Sequence, residues 1–396
     1  MSELADKLLA KPVAPSVKKL VPEKDFTRQI EIKGDDADVT VRSDSFESNE
    51  SEAIRVLENQ GLDPAEWTVT GFRSSEWTMA NGDTGVSTRF QFKRECVTVA
   101  ERPPMDELLQ AIEAYSPPQP ETLIVNKGDE HTLIIAIGDM QFGKIDGDGV
   151  EGTLKRTVDC LNRAADLLGV YRLRYNITHV HIAWLGDHIE GFVSQGGANT
   201  WRTQLTLNEQ IRLTRRVMLH AMLLFAPLVK RLTMAAVPGN HGEAVRINGK
   251  GVTRYDDSHD TESLIAVKDA ADLNPERFGH VEFYVPDTDE LTVVVECSGT
   301  VVAHAHGHQF RPGKHFEWWK GQAFNRESAM HQADLLLAGH LHHEHVDTDG
   351  YRTFLQPPAM ESESTWWRHA KGTGGAPGLI VAVTKDGLTD NKEVVR

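Results

Sequence analysis

The stretch IIAIGDMQFGKID, residues 134–146, fits two incompatible interpretations that lead to different folds. From Gly138 it matches G-x-x-x-x-G-K, most of a nucleotide-binding P-loop, whereas from Asp139 it is an apolar strand followed at once by D-x-Q. A P-loop requires Ser or Thr after the lysine and a helix that begins there. Lys144 is instead followed by Ile145 and then by Asp-Gly-Asp-Gly, which favours a loop and lacks the ligand spacing of an EF-hand. We therefore interpret the stretch as a strand that delivers Asp139 to a metal site.

Four more apolar runs also end in polar residues that can bind metals. THVHIAWL is followed by Gly186-Asp187, RLTMAAV by Pro-Gly-Asn240-His241, TVVAHA by His306-Gly-His308, and ADLLLA by Gly339-His340-Leu-His342. Such runs are typical of strands buried on both faces, and helical patterns at 154–168 and 207–226 lie between them, so the sequence predicts an α/β fold. Strand ends meet in one crevice of such folds, and we therefore expect the polar groups to converge on a site for two metal ions.

We expect four segments along the 396 residues. Residues 1–50 mix charge with few large apolar residues and are predicted to be a partly mobile arm that contains one hairpin, IEIKGDDADVTVRS. Residues 51–100 combine a short helix with a hairpin, which predicts a small α+β accessory module. Residues 101–120 are rich in proline around a short helical centre, as in a semi-rigid linker. Residues 121–396 would form the α/β domain.

The composition is typical of a globular protein that has no membrane partner. Hydrophobic residues make up 40% of the chain and charged residues 25%, and neither a signal-peptide core nor a run of about 18 apolar residues occurs, so we expect a cytoplasmic protein. Cys96, Cys160 and Cys297 are few and widely spaced, which predicts reduced packing residues. The formal net charge of −16 argues against a protein that coats nucleic acid, but not against a nuclease whose metal ions supply local positive charge.

The five motifs GD-x-Q, GD-x-x-E, GNHGE, HGHQ and GHLH, in this order, resemble the signature of the calcineurin-like metallophosphoesterases. The resemblance covers residues from about 130 to 345, and its overall arrangement is most similar to the phage and bacterial double-strand-break repair nucleases of that family. It implies a sandwich of two mixed β-sheets flanked by helices, and a dinuclear metal centre that activates water for phosphodiester hydrolysis.

The family pattern also implies roles for individual residues. One metal would be surrounded by Asp139, Gln141, Asp187 and His342, and the second by Asp187, Asn240, His306 and His340, with Asp187 as the bridge. His241 would protonate the leaving oxygen or stabilise the transition state. Such a mixed ligand set suits Mn²⁺ first, with Mg²⁺, Fe or Zn²⁺ as alternatives. Gln141 stands where the family usually has histidine, so we expect the first metal to bind less tightly.

The substrate is left open by the motifs. The segment QFRPGKHFEWWKGQAFNR interleaves Arg311 and Lys314 with Trp318 and Trp319, a combination that can hold a phosphate backbone and stack on bases. The alternative is that the tryptophans pack this segment onto the domain. Glu190 either orients a ligand or caps the next segment. The arginines of the helix after Leu207 form either a basic rim or a solvated face, and they are Arg212, Arg215 and Arg216.

Three functions follow in order of preference. The first is a DNA exonuclease or endonuclease serving phage replication or recombination, in the host cytoplasm if phage-encoded. The resemblance to repair nucleases implies an ATPase partner, which would be a separate chain because this sequence has no credible P-loop. Its N-terminal module would bind DNA or a partner, and a homodimer is compatible with the sequence. The second is a phosphodiesterase or phosphatase on small substrates such as cyclic nucleotides. The third is a non-catalytic scaffold with the same fold.

Overall fold

A computed structural model of the chain describes residues 28–33, 36–43, 50–59, 67–78, 84–94, 103–114, 128–192, 203–244, 246–247, 250–251, 254–325, 328–362 and 375–396. The chain divides into two compact units, Met1–Val99 and Ala100–Arg396. Cys96 and residues 193–202, which follow the second motif, lie outside the described residues.

The first unit is a four-stranded antiparallel sheet with one helix. Its elements are β1 (Arg28–Lys33), β2 (Asp36–Ser43), α1 (Glu50–Asn59), β3 (Trp67–Thr78) and β4 (Thr84–Arg94), and the strand order is β1-β2-β4-β3. Alternate strand residues such as Val39, Phe90 and Phe92 are buried in one core with Ala53 and Leu57 of the helix. An apolar residue at every second position gives each strand one face to bury, which stabilises the sheet.

This unit is larger than the predicted module at 51–100. Strands β1 and β2 form the expected hairpin, but β2 also pairs with β4 along its full length, from Asp36 opposite Lys93 to Ser43 opposite Val86. Part of the segment predicted as an arm therefore belongs to the sheet, because Ala37 and Val39 contribute to its core.

The second unit contains the remaining elements. They are α2 (Met105–Glu113), β5 (Glu130–Ile137), α3 (Gly149–Tyr171), β6 (Asn176–Trp184), α4 (Leu207–Phe225), β7 (Arg231–Ala236), β8 (Arg246–Ile247), β9 (Lys250–Gly251), α5 (His259–Asp272), α6 (Pro275–Phe278), β10 (Val281–Tyr284), β11 (Val293–Cys297), β12 (Thr300–Ala305), α7 (His315–Phe324), β13 (Leu335–Ala338), β14 (His345–Asp349), β15 (Arg352–Gln356), β16 (Leu379–Lys385) and β17 (Leu388–Val395).

Two mixed sheets form the body of this unit. A six-stranded sheet has the order β10-β7-β6-β5-β16-β17, in which the first four strands are parallel, and a five-stranded sheet has the order β11-β12-β13-β15-β14, in which β12, β13 and β15 are parallel. Ile134 and Ala183 of the first sheet share a buried cluster with Val302 and Leu335 of the second. The sheets therefore pack face to face, in agreement with the prediction that the apolar runs form strands buried on both faces.

Helices cover the outer faces of the sandwich. Alternate residues of β5 and β6 turn away from the intersheet core and are buried with α3, α4 and α5, while α7 packs on the five-stranded sheet. The capping box predicted at Thr206 is present, with the Thr206 backbone N–H donating to Glu209 Oε2 at 2.9 Å. The structure thus confirms the fold class: two mixed β-sheets flanked by helices, plus a small N-terminal α+β unit.

The short helix α2 corrects the prediction that residues 101–120 are a linker. Its apolar face, Leu108, Leu109 and Ile112, is buried in the same core as α3 and α4, and Glu113 forms an ion pair with Arg216. An amphipathic helix with such a face packs as part of the domain. Cys160 and Cys297 are free and buried, as predicted, and no described helix is long and apolar enough to span a membrane.

Candidate metal centre

The ends of five strands meet at one edge of the sandwich. Backbone hydrogen bonds join the loops that follow the strands: Asp139 N–H donates to Gly186 O at 3.1 Å, and Gly339 N–H donates to His306 O at 2.7 Å. The two sheets are linked there as well, because the backbone N–H of His340 donates to Asp139 Oδ2 at 2.8 Å. The predicted motifs of both sheets therefore converge on one crevice, as expected for strand ends in α/β folds.

Five predicted site residues have left-handed backbone conformations. Their φ angles are 51° at Asp139, 41° at Gln141, 52° at Asp187, 72° at His340 and 57° at His342. Such angles are uncommon for residues with a Cβ atom and cost free energy, so they persist only where surrounding contacts enforce them. Five of the described non-glycine residues with positive φ therefore lie at this edge, which makes it a candidate functional site.

The residues assigned to the second metal form a compact donor group. One donor atom of each of Asp187, His306 and His340 lies within 4.8 Å of the others. His306 Nε2 is 2.9 Å from Asp187 Oδ2 and 3.2 Å from His340 Nδ1. Because His306 Nδ1–H donates to Leu185 O at 2.7 Å, the ring orientation is fixed and Nε2 is left as the ligand atom.

Asn240 completes this group with an oxygen that needs a partner. Its Oδ1 atom is buried and has no hydrogen-bond partner among the described residues. A buried polar atom without a partner costs free energy, which a bound cation would remove. Two imidazoles, a carboxylate and an amide oxygen are a donor set that Mn²⁺, Fe or Zn²⁺ accepts, so the residues fit a divalent metal.

The residues assigned to the first metal are arranged differently from the prediction. Asp139 Oδ1 lies 3.3 Å from His342 Nε2, as expected for two ligands of one ion. The amide oxygen of Gln141, however, accepts a hydrogen bond from Lys144 Nζ at 3.1 Å, and Lys144 also pairs with the buried carboxylate of Glu361 at 2.9 Å. An ammonium group therefore occupies the oxygen that the prediction gave to the metal, so the fit to a first metal is partial.

The buried carboxylates create a strong demand for positive charge at this site. Burial opposes a charged imidazole at His306, yet the charge of Asp187 raises the pKa of His306 to about 9. Burial likewise opposes charge at His342, but Asp139 and Glu361 raise its pKa to about 10. Burial alone raises the pKa values of Asp139 and Asp187. The neighbouring histidines lower these pKa values by more, so both carboxyl groups have a pKa below the ordinary value. A site that holds protons so tightly is suited to divalent cations in their place.

Glu190 orients His241, the predicted proton donor. His241 Nδ1–H donates to Glu190 O at 3.0 Å and lies 3.4 Å from Glu190 Oε2, while the His241 backbone N–H donates to Asp187 Oδ1 at 2.7 Å. Burial lowers the pKa of His241. The charges of Asp187 and Glu190 raise it by more, to about 9. Of the two predictions for Glu190, a positioning role is the one that these contacts favour.

The sequence did not identify Asp260, which joins the loops that carry the ligands. This carboxylate is 0% exposed and lies in the first turn of α5. It accepts three backbone hydrogen bonds, from Asp187 and Gly239 on Oδ2 and from His188 on Oδ1, at 3.0, 2.9 and 2.9 Å. Only the glycine of GNH leaves room for this arrangement, because a Cβ atom at Gly239 would lie 2.0 Å from Asp187 Oδ1.

Glu361 was also missed, although it lies in the QPPAMESES segment that follows the last motif. Its Oε1 atom is 3.0 Å from His342 Nδ1, and its backbone N–H donates to Asp139 O at 3.1 Å. A carboxylate on the second nitrogen of a metal-binding histidine fixes the ring and strengthens the ligand. A glutamate beyond the recognised motifs carries no local sequence signal for that role.

The predicted substrate contacts are only partly supported. Trp319 is 0% exposed, and its indole N–H donates to Met330 O at 3.1 Å, so it packs the domain core and is not a stacking platform for bases. Trp318 is partly buried against Phe310, at 5.3 Å between ring centroids. Arg311 and Lys314 are exposed, as a role in substrate binding requires.

The other predicted candidates have structural partners. Arg215 and Arg216 of α4 form ion pairs with Glu262 and Glu113, which favours the solvated face over the basic rim. His308 lies near the ligands, with its ring tilted against that of His306 and the two ring centroids 5.4 Å apart. His304 is buried between the sheets, where its Nε2 accepts a hydrogen bond from His181 Nε2 at 2.7 Å.

No family model matches the sequence, and no curated protein matches it significantly. Among solved structures, a variant of Vps29 from Entamoeba histolytica is 13% identical with a TM-score of 0.29, over 67% of this chain and 99% of that chain. A predicted phosphoesterase from Streptococcus pneumoniae TIGR4 is 14% identical with a TM-score of 0.28, over 67% and 98%. An archaeal phosphodiesterase is 12% identical with a TM-score of 0.29, over 66% and 99%. Likenesses at these TM-scores decide neither family nor activity, so the function proposed below depends on the residues of the site.

Proposed function

We propose that the protein is a calcineurin-like metallophosphoesterase that hydrolyses phosphodiesters, and that its substrate is DNA. The observation that carries this proposal is the convergence of five strand ends on buried Asp139 and Asp187, ringed by His306, His340 and His342. Buried carboxylates and imidazoles that converge in this way, several of them in strained backbone conformations, are the groups that a metal-dependent hydrolase requires.

Divalent cations held by these residues would activate water and neutralise the charge that develops on the phosphoryl oxygens. Asp187, His306, His340 and Asn240 would hold one ion, and Asp139 and His342 would hold the other with Asp187 as the bridge. The protein groups have separate tasks. His241, held by Glu190, would give a proton to the leaving oxygen. Asp260 would hold in place the loop that carries Asp187 and the loop that carries Asn240.

DNA as the substrate is supported by the segment between His306 and α7. It starts at a ligand and carries two exposed cations: Arg311, and Lys314, which forms a surface ion pair with Glu317 at 2.8 Å. Both would contact a phosphate backbone that follows this segment. Because such contacts release counterions, cleavage of DNA would weaken as salt rises. A separate ATPase chain, and DNA or partner binding by the N-terminal unit, complete the proposal.

The test is cleavage of end-labelled single- and double-stranded DNA, and of a small aryl phosphodiester, in the presence of Mn²⁺. Wild type is compared with Asp187→Asn and with Asp386→Asn, an exposed aspartate that also has a positive φ and lies in a turn. Asparagine tolerates this backbone conformation, so both variants should fold.

We expect wild type and Asp386→Asn to cleave DNA and Asp187→Asn to be inactive. Cleavage of the aryl phosphodiester but not of DNA would overturn the nuclease and leave a hydrolase of small phosphodiesters. Folded, Mn²⁺-loaded wild type that cleaves neither substrate would overturn the enzymatic proposal altogether.

One observation favours the non-catalytic scaffold as a second candidate. Lys144 binds the Gln141 oxygen and Glu361, which supplies a fixed positive charge where the family pattern places the first metal. Under this alternative, the site would be stable without cations and metal addition would leave the melting temperature unchanged. A rise in melting temperature with Mn²⁺ that is absent in Asp187→Asn, together with cleavage of either substrate by wild type, would exclude it.

A further inference from the structure

We propose that His315, His345 and Asp347 form a separate site for a divalent transition metal, Zn²⁺ first, which ties helix α7 to the edge strand β14. None of these residues belongs to the candidate metal centre. The proposal also does not depend on the protein being a phosphoesterase.

The three side chains already lie at metal-binding distances from one another. One donor atom of each lies within 4.8 Å of the other two, and His315 Nε2 is 3.0 Å from Asp347 Oδ2. Zinc binds nitrogen and oxygen ligands at about 2.0–2.2 Å with tetrahedral geometry, which requires donor atoms somewhat more than 3 Å apart. Only small side-chain movements are therefore needed to enclose an ion, and the fourth position would be left to water.

The secondary structure explains why these donors converge. His345 and Asp347 are two residues apart on β14, so their side chains extend from the same face of the strand. His315 is the first residue of α7 and is buried. Among the described strands, β14 pairs with β15 alone and forms the edge of the five-stranded sheet, and its Asp347 contacts His315 of α7.

Neighbouring groups orient the ligands as in established metal sites. Asp347 Oδ1 accepts the backbone N–H of Thr348 at 2.8 Å, which leaves Oδ2 for the ion. The His315 ring stacks on buried Phe354, with centroids 4.1 Å apart and planes 14° apart, and His345 packs edge-on against the same ring at 5.5 Å. Both imidazoles are thus held on one apolar surface, which lowers the entropy lost when they bind a metal.

The position of the site suggests what the metal does. The segment from His306 to His315 and the segment from His340 to His345 both leave the candidate metal centre and end at this cluster. An ion between their far ends would restrain the first segment, which carries Arg311 and Lys314. We assign the site a structural role.

The experiment measures bound zinc in the full-length protein. Metal-free wild type, His345→Ala/Asp347→Ala and Asp347→Asn are dialysed against Zn²⁺, and bound metal is counted by mass spectrometry. The matched control is His331→Ala/Asp349→Ala. It removes the exposed imidazole of His331 and the carboxylate of Asp349, which lies on β14 with Asp347. The Co²⁺ absorption spectrum of each protein reports tetrahedral coordination, and circular dichroism reports folding.

We expect wild type and the control to bind one equivalent of Zn²⁺ more than His345→Ala/Asp347→Ala. With Co²⁺, both should show the absorption bands of tetrahedral coordination, which the double variant should lack. Asp347→Asn changes a partly exposed carboxylate and should fold, so it carries the test if the double variant does not. The zinc affinity of Asp347→Asn should fall by more than roughly 10- to 100-fold, the loss expected when a group that only hydrogen-bonds to a metal ligand is removed. Equal zinc content in wild type and in folded Asp347→Asn, or an equal loss in the control, would overturn the proposal.

Discussion

Replacing Asp260 with asparagine should destabilise the protein far more than its position in a helix suggests. The carboxylate accepts three backbone hydrogen bonds, whereas an amide has one oxygen and cannot accept on both sides. If the amide oxygen takes the place of Oδ2, the amide N–H₂ faces the His188 N–H, which loses its partner at a cost of about 1–3 kcal/mol. The two remaining bonds lose their charge assistance, at about 1 kcal/mol each.

The expected fall in the free energy of unfolding is therefore about 4 kcal/mol, measured by urea denaturation of the metal-free protein. Glu262→Gln is the matched control, because Glu262 lies two residues further along α5 and forms an exposed ion pair with Arg215. Its effect should stay below about 1 kcal/mol. Mn²⁺ affinity should also fall in Asp260→Asn, since the Asp187 and Gly239 loops lose their common anchor. Equal stability of the two variants would refute the role of Asp260.

Three further predictions concern other parts of the domain. Burial lowers the pKa of His179 to about 3 and that of His181 well below its ordinary value, so below about pH 6.5 the unfolded chain binds protons that the folded chain does not. As the pH falls through that range, each of these two histidines lowers the free energy of unfolding by about 1.4 kcal/mol per pH unit. His181→Gln should therefore reduce the slope of the free energy of unfolding against pH by that amount; an unchanged slope would contradict this. Gln141→His should raise Mn²⁺ affinity by about tenfold in a calorimetric titration, because imidazole binds better than an amide oxygen already held by Lys144. Glu190→Gln should lower kcat by about tenfold or more at unchanged stability, because it loosens the proton donor; unaltered kcat would exclude a positioning role.

The strands and the convergence of their polar ends could be predicted because their signals are local. An apolar run followed by Gly-Asp or Gly-x-x-His predicts a buried strand with polar residues at its end, and the structure places these ends of both sheets at one edge. The capping box at Thr206 is local in the same way.

Asp260 and Glu361 were not predicted because they reach the site from distant parts of the chain, whereas Lys144 lies three residues from Gln141 and was considered only as part of a P-loop. Asp260 is 73 residues from Asp187 and 21 residues from Gly239, two of the backbone donors that it holds in the strand-end motifs. Long-range placement of this kind depends on how helices pack on a sheet, which no short motif encodes.

The tryptophan pair shows a related limit. Trp318 and Trp319 are adjacent on α7, so their side chains extend about 100° apart around the helix, and only Trp319 faces the core. The basic and aromatic composition of the segment could not tell which ring is buried. Similarly, the prolines at both ends of α2 indicated a linker, although Leu108, Leu109 and Ile112 pack into the domain.

Mn²⁺ binding tests the central claim, that five strand ends build a metal centre around Asp187. Electron paramagnetic resonance would count bound Mn²⁺ in wild type, Asp187→Asn and Asp386→Asn under identical conditions. The site geometry predicts tight binding by wild type and Asp386→Asn, and loss of at least one ion in Asp187→Asn. Equal Mn²⁺ binding by all three folded proteins would contradict the account.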